Sequence, residues 1–443
     1  MIIAKRLNLA NARVTSFEPV TTNHPASYHL DMRYLVLPVL ATALLLATSC
    51  AKQVSPSVTN GTPVQISQAG QRAAEPAIAT GANGTIYMVY VEHHGGDGAD
   101  VLLQAIGSNG APIGEHVRVN DVPDAAKSWR GDPPTIALSQ DGTVFVGWTR
   151  KYADPSASGN DLMLSVSSDG GRTFAAPVKV NDDTVPAAHG MHSLAVDGSG
   201  RVIMAWLDER NVTGKPHEMN MSGGQMHHDE GEPNSEVFTA MSTDGGRTFS
   251  PNRKISADAC PCCKTSLLAA ADGTVYAAWR QVLEGDHRHI ALASSHDGGV
   301  TFTPGVIVSN DNWQLSACPV SGAALASREN GEVELTWYTE GAAGPPGLYF
   351  THSHDGGKTF SDRQIMSDQA KSGTPALAGN TCVFNSKDGG VRAQTVSEER
   401  QAENAVAIAD ASLPAAASSV GKTIVAFVRA AGDSSSVWVE VLG

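Results

Sequence analysis

The segment Cys260-Pro261-Cys262-Cys263 places three cysteines within four residues. Thiolate sulfur is a soft ligand that selects copper or zinc over hard cations, and closely placed cysteines can also form disulfides. The chain has 6 cysteines, and five of them follow Cys50. Because five is odd, at least one of these thiols stays free in a monomer without an external adduct.

A second group of soft donors lies shortly before this segment. Its members are thioether and imidazole side chains: His217, Met219, Met221, Met226, His227 and His228. Such a mixture suits copper, Cu(I) above all, whereas imidazole and thiolate alone would also suit zinc. No packing argument requires so many methionines in a polar stretch, so metal capture stands beside a solvated, neutral insertion as an interpretation.

Two sequence repeats define the elements that must position these donors. The phrase Ser-x-Asp-Gly-Gly-x-Thr-Phe occurs at residues 167–174, 242–249, 295–302 and 353–360. Its Asp-Gly-Gly turns the chain back between two strands, and its aromatic residue pins that turn on the sheet. The structural aspartates of the four phrases are Asp169, Asp244, Asp297 and Asp355.

The second repeat is a glycine turn followed by β-branched and aromatic residues that end in Trp or Tyr. Trp148 and Trp206 are 58 residues apart, as are Trp279 and Trp337. Four short strands fit this period, which is the size of a β-propeller blade. The interval from Trp206 to Trp279 is 73 residues, so the third blade carries an insertion of about 15 residues, which holds the methionines and histidines.

These repeats predict an all-β fold, a six-bladed β-propeller with four-stranded antiparallel blades. Residues 63–67 match the outer strands but precede the first inner strand, so they complete the last blade and close the ring. The middle strands of that blade are 423–428 and 436–441, while 379–412 fit no blade. The formal charge of -14 argues against nucleic acid as a partner.

In such blades the starts of the inner strands and the loops after the second strands share one rim, opposite the Asp-Gly-Gly turns. The candidate metal ligands on this rim are His189, His192, Cys260, Cys262, Cys263 and Cys318. Cys260 and Cys318 each lie 13 residues before a turn glycine of adjacent blades, which predicts that they are neighbours.

Two interpretations of this cluster stay open. Cys260 and Cys318 can form a disulfide that joins two loops, as is reasonable in an exported protein. Alternatively, Cys262 and Cys263 bind a metal ion together with His189 or His192. Both can hold together, with copper the expected metal and zinc possible, and the metal would be stored, delivered or used in catalysis.

The four phrases resemble the Asp-box of the sialidase superfamily and related β-propellers. The resemblance implies an active face opposite the boxes, with three arginines for the substrate carboxylate, a Tyr activated by Glu and an acid/base Asp. Matching rim residues are Asp132, Arg150, Arg210, Arg280, Tyr338 and Glu340. The family's early Arg-Ile-Pro signature is missing, since the first inner strand contains Glu75-Pro76-Ala77-Ile78. An exo-sialidase or related glycoside hydrolase is one alternative to metal binding, and recognition of a glycan or a protein partner is another.

The N-terminal region has the pattern of an export signal. Met32-Arg33 precedes an apolar run at 35–46, which is too short to span a membrane, and Ala47-Thr48-Ser49-Cys50 follows. It resembles a bacterial lipoprotein signal with Cys50 as the lipidated residue. We therefore expect an uninterpreted extension (1–31), a signal peptide (32–49), a linker (50–61) and the propeller (62–443). The protein would be exported and anchored to the membrane by lipid, facing the periplasm or the cell exterior.

Overall fold

The glycine turns and buried strand runs fold into four-stranded antiparallel meanders in the computed structural model. The structure describes residues 61–443 apart from 96–97, 128–131, 155, 213–220, 223–224, 228–232, 316, 329–330 and 397–401, all within the unit Pro56–Gly443. The signal segment, Cys50 and nearly all of the linker therefore lie outside the described residues. Across the described part of the chain, no helix has the length and apolar character needed to cross a membrane.

The first half of the chain builds three meanders, and β1 (Val64–Gln65) precedes them. Meander 1 comprises β2 (Arg72–Thr80), β3 (Ile86–His93), β4 (Ala99–Ile106) and β5 (Pro112–Arg118). Meander 2 comprises β6 (Thr135–Leu138), β7 (Val144–Lys151), β8 (Asn160–Ser167) and β9 (Val178–Lys179). Next come β10 (His189–Val196), β11 (Val202–Asp208), β12 (Met221–Ser222), β13 (Gln225–His227), β14 (Ser235–Ser242) and β15 (Arg253–Ala259). Meander 3 is β10, β11, β14 and β15, and the inserted hairpin is β12 and β13.

Four further meanders follow. Meander 4 comprises β16 (Ser266–Ala269), β17 (Val275–Leu283), β18 (His287–Ser295) and β19 (Val306–Ile307), and β20 (Ala317–Cys318) follows it. Meander 5 comprises β21 (Ala323–Ser327), β22 (Val333–Thr339), β23 (Gly347–Ser353) and β24 (Gln364–Ser367). Meander 6 comprises β25 (Ala376–Ala378), β26 (Thr381–Asn385), β27 (Val391–Val396) and β28 (Ala402–Ile408). Meander 7 comprises β29 (Ser412–Ser419), β30 (Lys422–Ala431) and β31 (Ser434–Leu442), with β1 as its fourth strand.

The first strands of successive meanders contact one another in a cycle. The contacts run from β2 to β6, β10, β16, β21, β25 and β29, and β29 contacts β2 again. Strand β1 pairs with β31 through Val64↔Val439 and Gln65↔Trp438, so both ends of the described chain share one meander, as predicted. Radial repetition of four-stranded units is how β-propellers are built.

The predicted number of six blades is wrong, because the described residues contain five four-stranded sheets and one eight-stranded sheet, in which meanders 3 and 4 are joined by the pair Ala259↔Gln281. Most of the stretch 379–412, which fitted no blade, belongs to meander 6. This meander lacks the tryptophan at the end of its second strand. Its Asp388-Gly389-Gly390 lies between the second and third strands, whereas each repeated phrase lies between the third and fourth. The Asp-Gly-Gly turn that marks meanders 2 to 5 is therefore displaced in this one.

The four repeated tryptophans Trp148, Trp206, Trp279 and Trp337 are at most 1% exposed. Each lies on the second strand of its meander, where the strand is buried on both faces. Their indole N–H groups still find acceptors: Trp206 donates to Asp208 Oδ2 at 2.7 Å and Trp337 to Asp311 Oδ2 at 2.7 Å. The four rings are among the largest side chains that are fully buried in the core. Their N–H groups are paired, so burial leaves no donor of these rings without an acceptor.

The repeated Ser-x-Asp-Gly-Gly-x-Thr-Phe phrases share one hydrogen-bond pattern. In the last, Asp355 accepts from the Thr359 hydroxyl at 2.6 Å and amide at 2.9 Å, and Ser353 Oγ accepts from the Gly357 amide at 2.9 Å. A Cβ on Gly357 would lie 2.6 Å from Leu292 of the preceding meander. The equivalent glycines Gly171, Gly246 and Gly299 meet Leu103, Leu164 and Ile203 in the same way. The turn therefore packs on the neighbouring meander as well as its own.

Candidate functional site

The Cys260–Cys263 loop joins β15 to β16, where meanders 3 and 4 meet. The Cys260 amide donates a hydrogen bond to the Arg280 carbonyl at 2.8 Å, and the Cys263 amide donates one to the Cys260 carbonyl at 3.3 Å. The Thr265 amide donates to the Met191 carbonyl at 2.9 Å. The loop is thus tied both to β17 and to the start of β10, at the end of the meanders opposite the repeated phrases.

The three cysteines of this loop are at most 1% exposed, and their sulfur atoms lie within 4.8 Å of one another. Cys260 Sγ lies 3.3 Å from Cys263 Sγ and 3.7 Å from Cys262 Sγ. Cys262 is disulfide-bonded, while Cys260 and Cys263 are free thiols. The interpretation that Cys260 pairs with Cys318 is therefore wrong for this structure, and the Cys318 side chain lies outside the described side chains.

Positive charge stabilises the thiolate form of Cys260. The Arg288 guanidinium donates from Nη1 to Cys260 Sγ at 3.0 Å. Burial alone would raise the pKa of Cys260, but its hydrogen bond with Cys263 and the charges of Arg288 and Arg280 outweigh burial and lower that pKa. Burial and the neighbouring Cys260 sulfur raise the pKa of Cys263. These opposite shifts favour the thiolate at Cys260 and the thiol at Cys263.

Arg288 is a charged partner of the cysteines that the sequence pattern did not predict. It lies on β18 between His287 and His289, and only the strand register shows that it faces the loop. Its side chain is nearly buried and also donates from Nε to the Leu315 carbonyl at 3.0 Å. An arginine close to the apolar run at 290–293 of the same strand was the available signal, because a buried arginine needs a partner.

The predicted adjacency of the Cys260 and Cys318 loops is confirmed by backbone contacts. The Ser321 amide donates to Cys263 Sγ at 3.5 Å, so the segment after β20 borders the cysteines. Strand β13 pairs with β20 through Met226↔Cys318, and β12 pairs with β13 through Met221↔Met226. The insertion backbone therefore extends beside the cysteine loop. His217, Met219 and His228 lie outside the described residues.

Met191 adds a thioether to the same cluster. It is 3% exposed and packs in one buried group with Cys260, Cys262 and Cys263. Its backbone has φ 51, a left-handed conformation that is uncommon for a side chain of this size. Glu75 and Leu413 have the same conformation at the matching bulges of β2 and β29, so this backbone feature belongs to the fold rather than to the cysteine cluster.

The two predicted histidine ligands have different surroundings. His189 Nδ1 is bonded to the Asn160 carbonyl at 2.7 Å, and its Nε2 lies 3.3 Å from Asp183 Oδ1 and 3.5 Å from Asp208 Oδ2. Burial opposes protonation of His189, but Asp183 and Asp208 outweigh it and raise its pKa. His189 is thus an ion-paired residue. His192 Nδ1 contacts Asp132 Oδ1 at 3.1 Å, and its buried Nε2 has no hydrogen-bond partner among the described residues.

The three arginines suggested by the family resemblance are each committed to local partners. Arg280 is 0% exposed and donates to the carbonyls of Ser321 and Tyr338 at 2.9 and 3.0 Å. Arg150 pairs with Asp121. Arg210 donates to Asp208 and to Asp182, at 2.6 Å for Asp182. None of these contacts leaves a group of guanidinium ions converging on a substrate carboxylate.

The Tyr338 hydroxyl donates to Glu340 Oε1 at 2.6 Å, the pairing that the family resemblance suggested. Tyr338 is nevertheless 2% exposed and belongs to a core cluster with Trp313, whose ring centroid lies 6.1 Å away. Burial and the negative charge of Glu340 raise the pKa of Tyr338. A phenol held in its neutral form in the core is poorly suited to act as a nucleophile.

Two cavities lie at the end of the meanders that carries the cysteines. The larger, about 500 Å³, includes Arg72, Glu75, His93 and Lys371 in its wall. Within it, His93 Nε2 and Glu75 Oε2 are 2.8 Å apart. The smaller, about 270 Å³, includes Leu413 of β29 and, just before β6 and β16, Pro133 and Lys264. Neither cavity could be predicted from the sequence, because the wall of each comes from segments that are hundreds of residues apart.

No protein-family model matches the chain, and no curated protein matches it. Solved structures do. A protein of unknown function from Dyadobacter fermentans is 16% identical over 88% of this chain and 99% of its own, with a TM-score of 0.49. The NanB sialidase from Streptococcus pneumoniae is 11% identical over 81% and 83%, with a TM-score of 0.47. The Hadza microbial sialidase Hz136 is 14% identical over 80% and 76%, with a TM-score of 0.49. Likenesses at this level decide neither family nor activity, so the chain is characterised by its seven meanders and its buried cysteine cluster.

Proposed function

We propose that this chain is an exported, lipid-anchored β-propeller of the sialidase-like superfamily that binds one soft metal ion, copper in preference to zinc. The ligands are the thiolates of Cys260 and Cys263. The observation that carries the proposal is the 3.3 Å separation of these two free sulfur atoms in a buried loop. Paired thiolates select copper or zinc over hard cations.

Charge balance favours Cu(I) at this position. Two thiolates and one Cu(I) ion carry a net charge of about −1, and a buried charge is tolerated when it is paired. Arg288, which donates to Cys260 Sγ at 3.0 Å, supplies the opposite charge. The Met191 thioether in the same buried group is a further soft donor, and thioethers suit Cu(I) rather than zinc.

The expected ligand set differs in part from the sequence-based one. Cys262 is disulfide-bonded in this structure, so Cys260 replaces it beside Cys263. His189 has oxygen atoms at both ring nitrogens, and His192 keeps a free Nε2. Because the insertion strand β13 borders β20, its methionines and histidines would deliver metal to the buried cysteines rather than hold it permanently.

Elemental analysis of the full chain, purified after expression with its own N-terminal segment, tests the proposal. We expect about one copper ion per wild-type chain and little in Cys260→Ser/Cys263→Ser. Cys382→Ser is the matched control, because Cys382 is also a buried free thiol but lies on β26 in meander 6. Deleting residues 213–230 should slow copper loading without emptying the site. Full copper content in the folded double variant would overturn the ligand assignment.

A further inference from the structure

A second group of metal-binding side chains lies on meander 5, at the opposite end from the cysteines. Glu332, His352 and His354 present ligand atoms that lie within 4.8 Å of one another. His354 Nδ1 is 3.4 Å from Glu332 Oε2, and the rings of His352 and His354 meet edge to face with centroids 4.9 Å apart. The side chain of Glu332 is 3% exposed and that of His354 is 63% exposed.

Strand register explains why these side chains share one face. Strands β22 and β23 pair with Val333 opposite Ser353 and Glu334 opposite His352. Residues two apart on a strand point to the same side, so Glu332 and His354 continue the face on which Glu334 and His352 lie. Glu334 is occupied by Arg328, whose Nε donates to it at 2.8 Å.

The fold does not require these residue types at these positions. The residue after the turn glycine is Glu332 here, but Thr143, Arg201 and Thr274 in meanders 2 to 4. The residue before the repeated phrase is His352 here, but Val166, Met241 and Ser294 there. The second residue of the phrase is His354 here and His296 in meander 4, but Ser168 and Thr243 in the others. At these three positions of meanders 2 to 5, only meander 5 combines two imidazoles with a carboxylate.

We propose that Glu332, His352 and His354 form a surface site for a divalent transition-metal ion such as Ni²⁺, Zn²⁺ or Cu²⁺. Two imidazoles and one carboxylate are ligands that these ions accept, with the remaining positions left to water or an external ligand. Two ligands about 2.1 Å from a tetrahedral ion lie about 3.4 Å apart. The observed distance between His354 Nδ1 and Glu332 Oε2 is also 3.4 Å.

Ser361 contacts one of the ligands. Its Oγ lies 2.9 Å from His352 Nδ1, so Nε2 is the nitrogen left for a metal ion. A histidine ligand whose other nitrogen is bonded to a protein oxygen keeps a fixed ring orientation, and loss of such an outer partner costs about 10–100-fold in affinity. Ser361 is therefore a positioning residue of the site.

Equilibrium dialysis of the full chain against Ni²⁺ alone tests this site independently of the cysteines, because Ni²⁺ is not selected by buried thiolates in the way that Cu(I) is. We expect Glu332→Gln, His352→Asn and His354→Asn each to lose one bound Ni²⁺ ion. Ser361→Ala should weaken the same binding event about 10–100-fold. His296→Asn, the equivalent position in meander 4, should bind as much Ni²⁺ as the wild type.

His354→Asn keeps the test decisive if the buried Glu332 proves necessary for folding, because the His354 side chain is largely exposed. Histidines of the insertion would bind Ni²⁺ equally in every one of these variants, so only the difference from wild type counts. Unchanged Ni²⁺ stoichiometry and affinity in both His352→Asn and His354→Asn would overturn the proposal. The variant Cys260→Ser/Cys263→Ser should still bind Ni²⁺ at Glu332, His352 and His354. The Ni²⁺ proposal and the copper proposal can therefore be contradicted independently of each other.

Discussion

The Arg288 guanidinium donates a 3.0 Å hydrogen bond to the sulfur of Cys260, 28 residues earlier in the chain. This contact places a second positive charge, beside that of the buried Arg280, next to the sulfur atoms of the loop. A charge-assisted bond of this kind favours the thiolate over the thiol. The position of Arg288 on β18 therefore affects whether Cys260 is a thiol or a thiolate.

Arg288→Gln should raise the apparent pKa of the Cys260 and Cys263 pair. We expect an increase of one unit or more, equivalent to about 1.4 kcal/mol, because the variant loses the charge that stabilises the thiolate. Thiolate ultraviolet absorbance as a function of pH, in metal-free protein, measures it. Burial raises the pKa of Cys382, so that free thiol does not titrate in the same range. Arg392→Gln is the control, and an unchanged titration in Arg288→Gln would contradict the charge argument.

The aspartates of the repeated phrases should make stability depend on acid pH. Hydrogen bonds from Thr301 lower the pKa of Asp297 to about 2, and the corresponding threonines lower the pKa of Asp169, Asp244 and Asp355. A lowered folded-state pKa means that the unfolded chain binds protons first as pH falls. The stabilisation is therefore complete above the unfolded pKa of about 3.9 and is lost as pH falls towards 2.

Asp297→Asn tests this pH dependence. The melting temperatures of the variant and the wild type should differ most above pH 5 and converge as pH approaches 2. Protonation at low pH removes the negative charge of Asp297 from the wild type, and the substitution has already removed it from the variant. A constant difference in melting temperature over this range would mean that the charge of Asp297 is not what the turn requires.

The two glycines of the last phrase should tolerate alanine to different degrees. Gly356 and Gly357 have φ +76 and +83, so alanine at either position costs about 1–2 kcal/mol of backbone strain. At Gly357 the new Cβ would also lie 2.6 Å from Leu292 Cδ2, whereas at Gly356 its nearest neighbour is Tyr276 Oη at 3.9 Å. We expect Gly357→Ala to lose about 1–3 kcal/mol more than Gly356→Ala in denaturant unfolding. Equal losses of unfolding free energy would show that the contact between the new Cβ and Leu292 of meander 4 does not add to the cost of the substitution.

The protein should not hydrolyse sialosides. Arg280 is fully enclosed by carbonyl acceptors, and Tyr338 is buried beside Trp313. A fluorogenic sialoside assay, with an authentic sialidase as positive control, measures this. Tyr338→Phe should only reduce stability, by about 1–2 kcal/mol, through loss of the bond to Glu340. Turnover that disappears in Tyr338→Phe would instead support the glycosidase alternative.

Export and lipidation at Cys50 remain predictions from the apolar run and the Ala47-Thr48-Ser49-Cys50 segment. Cells fed a fatty-acid analogue should label the wild-type protein and not Cys50→Ala. Cys382→Ala, which removes a buried cysteine of meander 6, should be labelled like the wild type. Equal labelling of Cys50→Ala would contradict the lipid anchor.

The sequence by itself determined the features whose interactions are local. Each repeated phrase closes its turn within eight residues, through bonds such as those from Thr359 to Asp355, so its residue types specify its structure wherever they occur. The turn glycines and buried tryptophans likewise set the strand period. Meander 6 was not predicted, because its Asp388-Gly389-Gly390 occupies a different turn and no tryptophan marks its second strand.

Only the tertiary structure decided how the cysteines are used. Their spacing allows several disulfide pairings and several ligand sets, and it does not distinguish Cys260 from Cys262. The choice depends on which loops meet and on where Arg288 points, and strands far apart in the chain set both. The same holds for Glu332 and His354, which are 22 residues apart and meet because β22 and β23 pair in one register. Local turns follow from neighbouring residues, whereas a site follows from the packing of distant ones.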